Sequence, residues 1–225
     1  MKPKIGTITI GQSPRVDVIP EIRPLIGCDV EILEMGALDG LSLEDVQSAY
    51  TPQAGDYILH TRMRDGTAVT IGKHAILPLM QACVDALTQQ QVDLIVLLCT
   101  GHFPEFRSSV LLIEPQKITD NLIMALTGTQ HKVGILIPLA EQVTQAKSHL
   151  SNATDNVIVV PASPYTSSNE ITLAAEQLRQ EQVELSVLHC IGYTLAMKQT
   201  VKNITGKPVI LARSLVAQIL RELLS

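Results

Sequence analysis

Tryptophan is absent from this chain, and phenylalanine and tyrosine together bring the aromatic fraction to only 3%. A core without large rings has to be filled by Val, Ile, Leu and Ala, which is the packing of parallel sheets covered by helices. Basic clusters are missing too, and the formal net charge is −5. Nothing therefore draws the chain to a phosphate backbone or an anionic lipid surface, and neither nucleic acid nor membrane is expected as a partner. No apolar stretch is long enough to span a bilayer. The amino terminus, Met1-Lys2-Pro3-Lys4, runs directly into a short strand without the apolar region and cleavage site of a signal peptide. The cysteines at 28, 83, 99 and 190 show no CxxC spacing and no small-domain disulfide framework, so a reducing cytoplasm is the expected compartment.

What is present is an alternation of strand and helix signals from end to end, over 225 residues of which 46% are apolar. That pattern predicts an α/β fold with mostly parallel sheets and right-handed βαβ connections. Strands are expected near 4–10, 29–35, 92–99, 110–113, 132–137, 156–160, 184–190 and 208–212. Ser42 with Asp45, and Ser167 with Glu170, have capping-box spacing and place helices near 43–50 and 168–181. The interval from Tyr57 to Ile71 breaks the alternation: two short apolar runs flank Arg64-Asp65-Gly66, which reads as an inserted β-hairpin.

Two segments read as copies. Asp93-Leu94-Ile95-Val96-Leu97-Leu98-Cys99-Thr100-Gly101 and Glu184-Leu185-Ser186-Val187-Leu188-His189-Cys190-Ile191-Gly192 keep an acid, an apolar run, a cysteine and a glycine in register. The match extends to the Lys-apolar-Gly strands opening at Lys4 and Lys132, and to the Gln-rich turns Gln89-Gln90-Gln91-Val92 and Gln180-Glu181-Gln182-Val183. Two pseudo-symmetric Rossmann-like lobes follow, with each cysteine at the carboxyl end of a buried strand, where open α/β sheets bind ligands.

If the lobes face each other across a cleft, Cys99 and Cys190 flank one bound molecule. Inverting a carbon that bears a proton needs one group to remove the proton and another to supply one on the opposite face, and thiols fit both roles. Gly101 and Gly192 would let the backbone approach a ligand closely, with amide hydrogens near a carboxylate or developing enolate, and Thr100 would add a hydroxyl donor. Taken singly, each cysteine reads as a small core residue; the matched pair favours chemistry. Cys28 and Cys83 have no such context and read as structural. Cys99 and His102 also have CxxH spacing that His189 and Cys190 would complete as a zinc site. This ranks lower, because neighbours on a strand point to opposite faces; no metal is expected. His189 reads as a hydrogen-bonded core or interface histidine and His102 as a loop residue near the cleft. After the first strand, Gly11-Gln12-Ser13-Pro14-Arg15 reads as an N-cap followed by a helix start, an anion site to which Arg15 would add a bidentate contact. Arg62 and Arg64 on the hairpin would close over the cleft or serve as solubilising edge charges.

Thr9-Ile10-Gly11-Gln12-Ser13-Pro14-Arg15, Ala49-Tyr50-Thr51-Pro52-Gln53-Ala54-Gly55, the hairpin, Glu114-Pro115 and Pro208-Val209-Ile210-Leu211-Ala212-Arg213-Ser214-Leu215-Val216-Ala217 resemble the AroM proteins over nearly the whole chain. More distantly the chain resembles the aspartate/glutamate/hydantoin racemase superfamily, whose members carry one cysteine in each of two lobes and need no cofactor. That resemblance implies Cys99 and Cys190 as acid and base. The residues expected around the substrate, read from the loops themselves, are Gly11, Gln12, Ser13, Arg15, Thr100, Gly101, His102, Ile191, Gly192 and Tyr193. The amino-acid racemases have Asp-Ser-Gly, Cys-Asn-Thr and Cys-Thr-His type motifs where this chain has Gln12-Ser13-Pro14, Cys99-Thr100-Gly101 and Cys190-Ile191-Gly192, so their substrate does not carry over.

The resulting expectation is a cofactor-independent racemase or isomerase of a small carboxylate-bearing molecule. The alternatives are a single-cysteine isomerase or decarboxylase, as in maleate isomerases and arylmalonate decarboxylases, and a non-catalytic metabolite-binding protein. The first lobe is expected over 1–113, completed by the final helix at 213–225 as the racemase resemblance implies, and the second over 114–212. The hairpin edge is the surface on which a homodimer would pair.

Overall fold

The computed structural model describes residues 2–126, 131–150 and 156–225. The chain divides into two compact units, Met1–Gln116 with Leu223–Ser225, and Lys117–Glu222.

The first unit holds a four-stranded parallel sheet of β1 (Lys4–Thr9), β2 (Glu31–Gly36), β5 (Leu94–Leu97) and β6 (Leu111–Ile113), in the order β2-β1-β5-β6. Helices α1 (Ile19–Ile26), α2 (Leu43–Ala49) and α3 (Lys73–Gln89) connect its strands, and α4 (Pro115–Leu126) leads out of it. All of β5 is buried, as expected of a strand covered on both faces. The expected hairpin is an antiparallel pair, β3 (Ile58–Arg62) and β4 (Ala68–Gly72). Its turn needs Gly66, whose φ is 96°, a backbone conformation that side chains resist. Leu59 and Ile71 turn inward from the hairpin and join the core formed by Ile8, Ile76, Met80 and Leu97.

The second unit repeats the plan. β7 (Val133–Ile137), β8 (Val157–Pro161), β9 (Leu185–Leu188) and β10 (Val209–Leu211) form a parallel sheet in the order β10-β9-β7-β8. With β7 standing for β1 and β9 for β5, the two orders coincide. α5 (Val143–Leu150), α6 (Ser168–Gln180), α7 (Leu195–Thr205) and α8 (Ala212–Leu224) complete the unit. The likeness reaches single atoms: Lys4 Nζ donates to the Gln90 carbonyl at 2.9 Å and Lys132 Nζ to the Glu181 carbonyl at 3.2 Å. Gln91 and Gln182, on the equivalent helix-to-strand turns, take φ of 56° and 58°. The central strands also match, since Gly6 faces Leu87 and Gly134 faces Leu178 with no room for a Cβ.

Local signals were met unevenly. Ser42 and Asp45 form the capping box of α2, with the Asp45 amide donating to Ser42 Oγ at 3.1 Å and the Ser42 amide to Asp45 Oδ2 at 2.8 Å. Ser167 occupies the N-cap of α6 but makes no side-chain cap. Glu170 Oε2 instead accepts the Ser163 amide at 3.0 Å, which ties down the loop before the helix. Ser13 is not an N-cap either: α1 begins at Ile19, after Val18. The final helix groups with the second unit through Glu222, rather than completing the first. It follows β10 without a loop, and Arg213 in its first turn bonds to Ile191 and Gly192 of the same unit.

A Cβ at position 134 would stand 2.6 Å from Leu178 Cδ2, and Leu178 is fully buried. Gly134→Ala is expected to destabilise the protein by about 1–3 kcal/mol through overpacking, read as a lowered urea midpoint; an unchanged midpoint would contradict this packing.

Candidate active site at the two cysteine loops

The two cysteines stand at the same offset from equivalent strands, each two residues past the last residue of β5 or β9. The ladder closes alike in both. The Leu98 amide donates to the Ile8 carbonyl at 2.7 Å, and the His189 amide to the Leu136 carbonyl at 2.9 Å. Beyond that bond each chain leaves the sheet and turns back on its thiol. The Gly101 amide donates to Cys99 Sγ at 3.3 Å, and the Gly192 amide to Cys190 Sγ at 3.3 Å. An amide hydrogen aimed at sulfur stabilises thiolate over thiol. Both cysteines are half-buried, so they combine a structured environment with access. The Gly101 and Gly192 amides, expected near a substrate carboxylate, point at sulfur.

Both glycines are required by space. A Cβ on Gly101 would meet Leu59 at 2.6 Å and the Phe103 ring at 3.2 Å; one on Gly192 would meet the Tyr165 hydroxyl at 2.6 Å and Pro164 at 2.9 Å. The space beside Gly101 is thus walled by apolar and aromatic side chains. Thr100 is buried, and His102 lies edge-on to Tyr57, whose hydroxyl accepts the His102 amide at 3.4 Å.

The Cys190 loop is more polar. Ile191 and Tyr193 are buried, and the Tyr193 hydroxyl donates to the Ala162 carbonyl at 2.6 Å. Burial, and then the Cys190, Tyr165 and Glu170 charges, raise the Tyr193 phenol well above its ordinary range, so it stays a neutral donor. His189 points away from Cys190 to the opposite face of β9, where its Nε2 lies 2.8 Å from Asp120 Oδ1 on α4. Arg213 is wholly buried; its Nε donates to the Ile191 carbonyl at 3.0 Å and its Nη2 to the Gly192 carbonyl at 3.1 Å.

The first loop is knitted into its own unit. Gly11 packs against the Arg62 backbone. Gln12 Nε2 donates to the carbonyls of Leu38 and Leu41 at 3.0 and 2.8 Å, and its Oε1 accepts the Arg64 amide at 2.8 Å. The Ser13 hydroxyl donates to Asp39 Oδ2 at 2.6 Å, and Arg64 Nε to the Ser13 carbonyl at 2.6 Å. Arg15 is buried and forks onto Asp17 at 2.8 and 2.7 Å, with Arg62 lying 3.6 Å from the same carboxylate. Burial raises the Asp17 carboxyl, but the Arg15 hydrogen bond and the charges of Arg15 and Arg62 outweigh it and leave its pKa lowered. The hairpin arginines therefore bind this loop.

Sequence reasoning did not single out Arg213, Asp120 or Tyr165. Arg213 meets its partners 21 and 22 residues upstream, a separation without a local pattern. A surface hollow lined by Asp85, Thr88, Gln89, Arg107, Ser108 and Ser109 lies elsewhere, with no cysteine in its walls.

The sequence pattern of the AroM protein family matches residues 5–224. No curated protein matches the chain. In fold it is similar to the Picrophilus torridus aspartate racemase, with a TM-score of 0.57 at 12% identity over 98% of this chain and 93% of that one. It is also similar to the glutamate racemase from Aquifex pyrophilus, at 0.59 and 16% over 99% and 84%, and to the maleate isomerase Iso from Pseudomonas putida S16, at 0.59 and 14% over 97% and 90%.

Two outcomes follow from these environments. Burial, reinforced by Asp39, pushes the Cys83 thiol up to about 11, so native-state iodoacetamide at neutral pH should label Cys99 and Cys190 before Cys83; the reverse order, read by mass spectrometry, would contradict the structure. Because the Asp17 pKa is lowered on folding, its contribution is present above pH 3.8 and lost as pH falls through the folded value. Asp17→Asn should cost about 1–3 kcal/mol at pH 7 and flatten the acid limb of the stability profile, measured by urea unfolding from pH 7 to 2.

Proposed function

The chain belongs to the AroM family, and we propose that it is a cofactor-independent racemase or isomerase of a small carboxylate-bearing molecule, with Cys99 and Cys190 as its acid and base. The observation that carries this reading is the repeated thiol geometry: two half-buried cysteines each stand two residues past equivalent strands, each with the amide two residues on at 3.3 Å from its sulfur. A structural cysteine does not need that repetition. The racemase and isomerase folds to which the chain is similar support the same class of reaction.

In the proposed reaction one sulfur begins as thiolate and the other as thiol. The thiolate takes the proton from the carbon beside the substrate carboxylate, and the C–H electron pair remains on the substrate as a carbanion delocalised into that carboxylate. The thiol then donates its proton to the opposite face of the carbon and is left as thiolate. One turnover thus exchanges the two protonation states, and exchange with water restores them. Both proton steps are carried by sulfur, so the reading assigns no role to a cofactor. Thr100 and His102 beside Cys99, and the loop through Ile191, Gly192 and Tyr193 beside Cys190, are the groups proposed to shape the substrate site. Arg15 would hold the first loop through Asp17 rather than fork onto a substrate.

The test is incubation in heavy water with a panel of small chiral carboxylates, amino acids and hydantoins, following α-proton loss by NMR and optical activity by polarimetry. At least one compound should exchange and racemise, and Cys99→Ser and Cys190→Ser should each lower racemisation about 10²–10⁴-fold. Racemisation indifferent to either substitution, or no exchange across the panel, would overturn the assignment.

A further inference from the structure

The two thiol loops share their backbone plan but not the residue behind it. In the first unit β5 and β6 pair Val96 with Ile113; in the second, β9 and β10 pair Val187 with Ile210. Val96 and Val187 each stand three residues before their cysteine, so Ile113 and Ile210 are equivalent. Two residues later a helix begins in both units, α4 at Pro115 and α8 at Ala212. The second helical residue is buried in both, and it is Gln116 in the first unit and Arg213 in the second. A neutral amide thus occupies the place at which the other unit has a cation.

The cation is wired to the thiol through one peptide group. Arg213 Nε donates to the Ile191 carbonyl at 3.0 Å, and the amide on the other side of that peptide bond, Gly192 N–H, donates to Cys190 Sγ at 3.3 Å. In a trans peptide the C=O and N–H point in opposite directions. A guanidinium holding the oxygen therefore fixes the direction of the N–H and polarises it toward sulfur, and hydrogen bonds linked in this way reinforce each other. The second contact, Nη2 to the Gly192 carbonyl at 3.1 Å, locks the next peptide as well.

From this we propose that Arg213 is a positioning residue that makes the two thiols unequal, holding Cys190 as the resting thiolate and leaving Cys99 as the thiol. The inference deepens the two-thiol reading and rests on it for its meaning in catalysis: Cys190 is the first proton acceptor and Cys99 the first donor. Other groups face the Cys190 loop. Tyr165 stands against Gly192, and Tyr193 is neutral and donates to Ala162. Glu170, from α6, opposes a thiolate, but its carboxylate is directed at the Ser163 amide. The His189–Asp120 pair lies across β9. On the Cys99 side are His102 and Tyr57, with Lys73 Nζ 4.4 Å over the Tyr57 ring. Arg213 is joined to the Cys190 thiol through a single peptide unit.

The test is the pH dependence of iodoacetamide alkylation, read separately at Cys99 and Cys190 by peptide mass spectrometry on the native full chain. Substrate is not needed, so failure of this inference is distinct from failure of the racemase reading. In the unsubstituted protein the alkylation midpoint of Cys190 should lie below that of Cys99 by on the order of one pH unit, about tenfold in thiolate population where both are mainly protonated. Arg213→Gln should raise the Cys190 midpoint toward that of Cys99 and leave Cys99 unmoved, whereas Arg213→Lys, which keeps the charge, should restore part of the difference. Cys99 titrating at or below Cys190 in the unsubstituted protein would overturn the proposal without any variant having to fold, and so would an Arg213→Gln midpoint unchanged at Cys190.

Discussion

In each unit the central strand pair stops at one backbone hydrogen bond, Leu98 N–H to Ile8 O in the first and His189 N–H to Leu136 O in the second, and the placement of each thiol depends on where that bond falls. One residue further on, the chain is free of the ladder and can fold the following amide onto the cysteine sulfur. The register that sets this point is fixed deep in the sheet. Gly6 and Gly134 let Leu87 and Leu178 press against the central strands, and a slip that brought a residue with a Cβ to either place would drive it into that leucine. A shift of one residue would reverse every side chain and bury the thiol's neighbour in its place.

On this shared plan the units diverge through what they add. The first inserts a hairpin whose arginines hold the loop after β1: Arg64 reaches Ser13 and Asp39, and Arg62 reaches Asp17. The loop's polar side chains are engaged with that unit. The second unit has a buried arginine on its last helix and a tyrosine pair around the thiol loop. The repeated plan accounts for the likeness of the thiol loops, and these additions make the surroundings of the two loops differ.

The elements most legible in the sequence were those whose cause is local or repeated. The strands through Ile5, Leu94, Val133 and Leu185 were marked by apolar runs, the hairpin by Asp65-Gly66, and the Ser42 cap by a carboxylate three residues on. The same spacing located the start of α6 after Ser167 but not its bonding, because Glu170 accepts the Ser163 amide instead. The expectation of a helix start at Ser13 failed because Asp39 takes the Ser13 amide and hydroxyl, and α1 forms only after Val18. Arg15 read as available for a carboxylate; Asp17, two residues on, holds it. The contacts of Arg213 were illegible, since they are made to carbonyls brought near by the fold and not by the chain.

The measurement closest to the central claim is the isotopic pattern early in turnover. With a single enantiomer of a turned-over substrate in heavy water, two thiols on opposite faces of the carbon should give product that carries deuterium at the stereocentre while unconverted substrate keeps its proton. Product that retains the original proton, or deuterium entering substrate and product together from the start, would mean that one group handles both faces, and would contradict the two-thiol account.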